Sequence, residues 1–102
     1  MAATLDHETF SKYLNTKFRV TYGESLALET ELSQVGELQL DGQQERFSLF
    51  FLGPREPLLN QGMYTFDHDQ MGGFTLFMVP MQPHANGTLY EVVFNRLRKS
   101  DD

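Results

Sequence analysis

The chain opens on helical spacing and then changes period. Phe10, Tyr13 and Leu14 fall at i, i+3 and i+4, a narrow apolar stripe on about two turns. Asp6 is a good N-cap, and Leu5 and Phe10 occupy the two positions of a hydrophobic staple. The spacing predicts a helix over 7–15 that Asn15 ends, too short to hold without docking on something. From Lys17 the period is 2. Phe18, Val20 and Tyr22 alternate with Lys17, Arg19 and Thr21, and after Gly23-Glu24-Ser25 the residues Leu26, Leu28, Thr30 and Leu32 alternate with Ala27, Glu29, Glu31 and Ser33. The two apolar faces coincide only if paired residue numbers sum to an even value; a two-residue loop would set Phe18 against Glu29. A three-residue loop at 23–25 therefore follows, with Tyr22 across from Leu26 and Val20 across from Leu28. The same register sets Arg19 against Glu29 and Lys17 against Glu31, absorbing four charges into a hairpin.

Further strands follow the same reasoning. The second strand, 26–34, can run on through a bend at Gly36 toward Leu38 and Leu40, and Asp41-Gly42 signals a turn. The stretch 46–52 carries Phe47, Leu49 and Phe51 on one face and Phe50 and Leu52 on the other, so it is central or covered on its second side; the first helix is a candidate cover. Gly53-Pro54-Arg55-Glu56-Pro57 breaks the ladder, because neither proline has a donor to give it. Strands at 63–68, 74–81 and 89–96 complete the set, with a turn through Gly72-Gly73 and a hairpin signal at Asn86-Gly87. Pro80 implies an edge or a bulge. The expectation is one domain over 1–102, mainly β and α+β only at the margin. A short N-terminal helix precedes about six antiparallel strands in a small barrel or two-layer roll, which buries strands apolar on both sides.

Composition removes whole classes of function. No cysteine is present, so disulfides, thiol nucleophiles and thiolate metal sites are absent. The net charge is −6, with eight acids and three bases in residues 1–45 and six acids and five bases in residues 46–102. A chain of that sign lacks the cationic face that nucleic acid needs. The basic cluster Arg96, Arg98 and Lys99 precedes Asp101 and Asp102 and reads as a solvated tail. Apolar runs such as Leu49 to Leu52 and Leu76 to Met81 fall far short of the ~20 residues that cross a bilayer. The start has no signal-peptide pattern. A soluble, cytoplasmic protein with no nucleic-acid or membrane partner is expected.

Candidate chemistry is sparse. Asp6-His7-Glu8 and Asp67-His68-Asp69 pair acids with histidine, but neighbours on a strand point to opposite faces and do not converge on one ion. His7 reads as an exposed first-turn residue, His68 as a rim histidine bonded to the Gly72-Gly73 turn, and His84 as a loop residue. Ser11, Ser25 and Ser48 lie outside any nucleophile elbow, and Asn86-Gly87-Thr88 reads as a turn. No catalytic residue, metal ligand or cofactor is expected, and the protein is read as a non-enzyme. What stands out is nine phenylalanines, four tyrosines and five methionines. Most belong in a core; the outward-facing Phe50, Met63, Phe77 and Val79 are candidates for a patch that meets a protein partner or a second copy. The alternative is a barrel binding a small apolar ligand, with Arg55, Tyr64 and His68 at its mouth. A metal- or histidine-dependent hydrolase is a weaker third.

Four stretches carry a resemblance: Phe47 to Pro54, Leu59 to His68, Gly73 to Pro80 and Tyr90 to Asn95. Together they resemble an uncharacterised family of small bacterial proteins, a domain of unknown function. Such proteins occur near microcystin-dependent, phage-tail-collar-like proteins, so the resemblance implies an accessory role beside a tail-like assembly. It carries no catalytic residue with it.

Overall fold

The computed structural model describes residues 5–97, with the side chains of 82–84 and 97 outside the description. Arg98, Lys99, Asp101 and Asp102, and the side chain of His84, therefore lie outside the described residues. The elements are α1 (His7–Lys12), β1 (Lys17–Tyr22), β2 (Leu26–Val35), β3 (Gln39–Asp41), β4 (Gln44–Gly53), β5 (Gly62–His68), β6 (Gly72–His84) and β7 (Gly87–Leu97). All pairings are antiparallel. Six strands close in the order β1-β2-β4-β7-β6-β5, and β3 extends the sheet beside β4. The fold is a small closed barrel with one extra strand and one short helix.

The first hairpin has the register that parity required: Tyr22 pairs with Leu26, Val20 with Leu28, Arg19 with Glu29 and Lys17 with Glu31. Its ion pair is nonetheless diagonal. Lys17 Nζ lies 3.3 Å from Glu29, and among the described residues Arg19 reaches neither Glu29 nor Asp67 across from it. Lysine has the length to reach a residue two further along the partner strand, so register alone does not choose its partner.

The interior is filled. Phe18, Val20, Leu32, Leu49, Phe51, Phe66, Met78 and Tyr90 are all 0% exposed. Leu59, in the loop after β4, closes one end; its backbone N–H donates to the Tyr90 hydroxyl at 3.0 Å, while its neighbour Leu58 faces solvent. The buried Thr30 hydroxyl donates to the Phe18 carbonyl, which offsets the cost of taking it out of water.

The opposite end is closed by α1, and here the expectation needs correction. The helix stops at Lys12, short of residue 15, with Tyr13 as C-cap and Asn15 in a left-handed turn. Nor does it cover the second face of β4. Phe10 enters the barrel and meets the rings of Phe47, Phe74 and Phe94. The pairing of β6 with β7 begins at Val79 and Glu91. Below it Phe74 and Phe94 stand on strands that have diverged, and Phe10 occupies the space between them. His7, read as exposed, is partly buried: Nε2 donates to the Gly36 carbonyl at 2.9 Å and the ring packs edge-on against Phe47. Asp6 caps the helix by accepting from the Thr9 backbone N–H at 2.8 Å. Partial burial works against its charge, but the Thr9 hydrogen bonds and nearby Arg96 outweigh that and hold its carboxyl below the usual value. Arg96 also binds Glu45 at 2.7 Å and the Leu5 carbonyl at 3.4 Å, so it ties β7, β4 and the entry to the helix together.

Other bounds differ too: β4, β6 and β7 each run past both ends of the expected 46–52, 74–81 and 89–96. β2 ends at Val35, a bend at 36–38 follows, and Gln39–Asp41 is a strand of its own, making seven rather than six. The bend is held by the Gly36 N–H, which donates to the Ser48 carbonyl. The turn expected at Gly72-Gly73 is Asp69–Met71, with Gly72 already paired to His68. Met71 is thereby buried at 1% exposure. Pro80 sits at a bulge, the pairing with β7 shifting between Pro80 and Pro83, and past Met78, where the pairing of β6 with β5 ends, so both expected placements describe it.

Candidate functional site

Strand alternation sends Phe50, Met63, Phe77 and Val79 outward, and the topology makes their strands adjacent in the order β4, β7, β6, β5. Phe50 is paired to Glu91, Glu91 to Val79, and Phe77 to Met63. Four residues read separately from the sequence thus share one outer surface. Phe77 and Met63 are 49% and 62% exposed, and Phe50 and Val79 are half-buried among their neighbours. Val93, 57% exposed and paired to Ser48, belongs to the same surface. It was legible only as an outward position between Val92 and Phe94. Met81 and Leu58 add exposed apolar area near the loop after β4, where they line a shallow apolar cleft with Arg55, Pro80 and Thr88.

Two charges lie on this surface. Glu91 is half-buried between Phe50 and Val79, and among the described residues no cation lies within ion-pair distance of it. Arg46, on β4, is exposed and donates to the Gln39 side chain at 3.3 Å. A groove beside it, about 430 Å³, is floored by Phe47, Ser48, Phe50 and Val93 and walled by the bend at Gly36 and Glu37.

The three residues grouped at a barrel mouth do not meet. Arg55, beside the end plugged by Leu59, donates to the Ala85 carbonyl at 3.1 Å. Tyr64, near the same end, donates to the Asn60 carbonyl at 2.6 Å; burial first, and Tyr90 second, raise its pKa. His68 lies four residues further along β5, roughly 13 Å away, at the end closed by α1. The reason is the strand itself: residues i and i+4 share a face but span most of a small barrel's height.

His68 is bound on all sides. Its Nδ1 accepts the backbone N–H groups of Gln70 at 3.0 Å and Met71 at 3.2 Å. That leaves the proton on Nε2, which donates to the Thr16 hydroxyl at 2.9 Å, and Thr16 in turn donates to the Tyr13 carbonyl at 2.6 Å. Tyr13 and Phe18 flank the ring at 4.7 and 4.3 Å between centroids. Burial lowers its pKa, and the charge of Asp69 opposes this only in part. An imidazole with both nitrogens engaged offers a substrate or metal neither a free lone pair nor a free proton. Among the described residues no three histidine or acidic side chains are placed to hold a metal ion.

A small closed barrel with a packed interior and an apolar outer face is the class that fold and surface define. Within it, the chain belongs to the family described as Domain of unknown function (DUF6916), whose profile matches residues 5–94. No curated protein matches the chain significantly. No solved structure does so either.

Proposed function

We propose that the protein is a non-enzymatic interaction module that meets a protein partner through the outer face of β4, β7, β6 and β5. The observation that carries this reading is the assembly of Phe50, Met63, Phe77, Val79 and Val93 on one surface, where the long-range pairing of β4 with β7 sets Phe50 beside the consecutive strands β5, β6 and β7. Contiguous exposed apolar area of this kind commonly marks a contact surface. Closure supports a side-chain surface rather than strand addition, because most hydrogen-bonding edges of the six strands are paired and Phe10 occupies the space where β6 and β7 diverge.

The resemblance to small bacterial proteins found near tail-collar-like proteins supports an accessory role in a tail-like assembly, in the bacterial cytoplasm where such assemblies are built. No described helix is long and apolar enough to cross a membrane. The small-ligand alternative draws no support from an interior whose central side chains are fully buried against one another.

Affinity co-purification from the source cells tests the reading, using wild type, Phe77→Asp on the proposed face and Thr21→Asp on the far side of the barrel. A defined protein should accompany wild type and Thr21→Asp and be lost from Phe77→Asp. Equal recovery with all three variants would sink the assignment of the face.

A further inference from the structure

We infer that this outer face pairs with a second copy of itself about a two-fold axis, with Glu91 of each copy meeting Arg46 of the other. The inference rests on the interaction-module reading and names the partner. Its starting point is a mismatch within one copy. Among the described residues, Glu91 is half-buried between Phe50 and Val79 with no cation in ion-pair distance, while Arg46 on the same face bonds the neutral Gln39 side chain and no acid. The two cannot satisfy each other internally, since four residues along the strand and one strand across separate them by roughly 14 Å.

Symmetry removes the mismatch. Ser48 and Val93 are a cross-strand pair near the middle of the face. Two residues to one side of it stand Arg46 and Asn95, and two residues to the other stand Phe50 and Glu91. A two-fold axis running across the strands through Ser48 and Val93 exchanges those rows. Arg46 then lies over Phe50 of the second copy, one strand spacing of ~4.8 Å from its Glu91. Facing sheets pack ~10 Å apart, a gap that an arginine and a glutamate span together. Both copies gain the same contact, as an isologous interface requires; Val93 lies between the two ion pairs, and Phe50 and Val79 flank them in the row of Glu91. An axis parallel to the strands would instead set Arg46 against Asn95 and Glu91 against Phe50, leaving all four charges unpaired.

The size of the face sets the strength. Four strands by about five residues cover about 15 by 17 Å, below the ~800 Å² per partner of a standard interface. The dimer is therefore weak and concentration-dependent, and repulsion between two chains of net charge −6 weakens it further at low salt.

Sedimentation velocity over a range from low to high micromolar protein, at physiological salt, tests this on wild type, Val93→Asp, Glu91→Arg, Arg46→Glu and the double reversal Glu91→Arg/Arg46→Glu. Wild type should shift from monomer to dimer with concentration, and Val93→Asp should stay monomeric. Each single reversal should raise the dissociation constant at least tenfold, and the double reversal should return it to within about threefold of wild type. Circular dichroism confirms that each variant is folded; a rescue on recombination cannot come from misfolding. A wild type that stays monomeric throughout overturns the inference, as does a dimer whose constant ignores the reversals. Loss of a different protein from Phe77→Asp in the co-purification, together with a monomeric wild type, would retain the module and discard the second copy.

Discussion

Thr16 and His68 are 52 positions apart in the chain, and the hydroxyl of one lies 2.9 Å from Nε2 of the other. The bond joins the segment after α1 to the turn between β5 and β6, and it works only while Nδ1 is unprotonated and accepts Gln70 and Met71. Protonation would aim a third N–H at two donors.

The pH dependence follows from that geometry. His68 has a folded pKa below the ordinary 6.5, so between the two values the unfolded chain binds more protons and stability rises with pH. The contribution is complete above about pH 6.5 and is lost as pH falls toward the folded value. Urea unfolding at pH 7.5 and 5.5 should show the lower midpoint at 5.5. In His68→Gln the difference between the two pH values should shrink, while stability at pH 7.5 drops by about 1–3 kcal/mol because buried N–H groups lose their acceptor. An unchanged difference in the variant would place the titration elsewhere.

Phe10 and Phe77 separate a core role from a surface one. Phe10 is 0% exposed and touches three aromatic rings, whereas Phe77 is 49% exposed. Phe10→Ala should cost about 3–5 kcal/mol, and Phe77→Ala less than about 1 kcal/mol. Chemical denaturation of both variants under dilute conditions measures the contrast.

Glycine substitutions probe barrel closure. Gly87 has φ of 149°, and a Cβ there would land on the Gly53 carbonyl oxygen of the neighbouring β4. Gly42 also has positive φ, 63°, but open space around it. Gly42→Ala should cost about 1–2 kcal/mol, the strain of a left-handed residue. Gly87→Ala must in addition push β7 away from β4, so it should cost more than that or fail to fold. Thermal melts compare them, and equal losses would show that the close approach to Gly53 yields at no cost.

Two ion pairs differ in worth by their exposure. Lys17 and Glu29 are 67% and 66% exposed at the side chain, against 38% and 13% for Arg96 and Glu45. Double-mutant cycles should give less than about 0.5 kcal/mol for the first pair and a clearly larger coupling for the second. Arg96→Ala should lower stability by about 1–2 kcal/mol, since it strips Glu45 of its partner and frees the Leu5 carbonyl.

Much of this was readable from residue order. Parity alone set the register of β1 against β2, because a slip of one residue would turn Phe18 and Val20 to water. The Asp6 cap, the bulge at Pro80 and the outward direction of Phe50, Met63, Phe77 and Val79 were equally local. Two misjudged positions depended on a distant partner: His7 is covered because Gly36 bends toward it, and β3 is a strand because β4 begins at Gln44, early enough to pair with it.

The sequence by itself determined which residues face in or out along each strand, since that alternation is a property of the backbone and needs no neighbour. Tertiary structure decided which of those faces meet. The pairing of β7 with β4 brought Phe50 onto the surface that β5, β6 and β7 share and left Glu91 there with no ion-pair partner among the described residues. Closure sent Tyr64 and His68 to opposite ends, because burial chooses a face while only the closed barrel fixes a height along it.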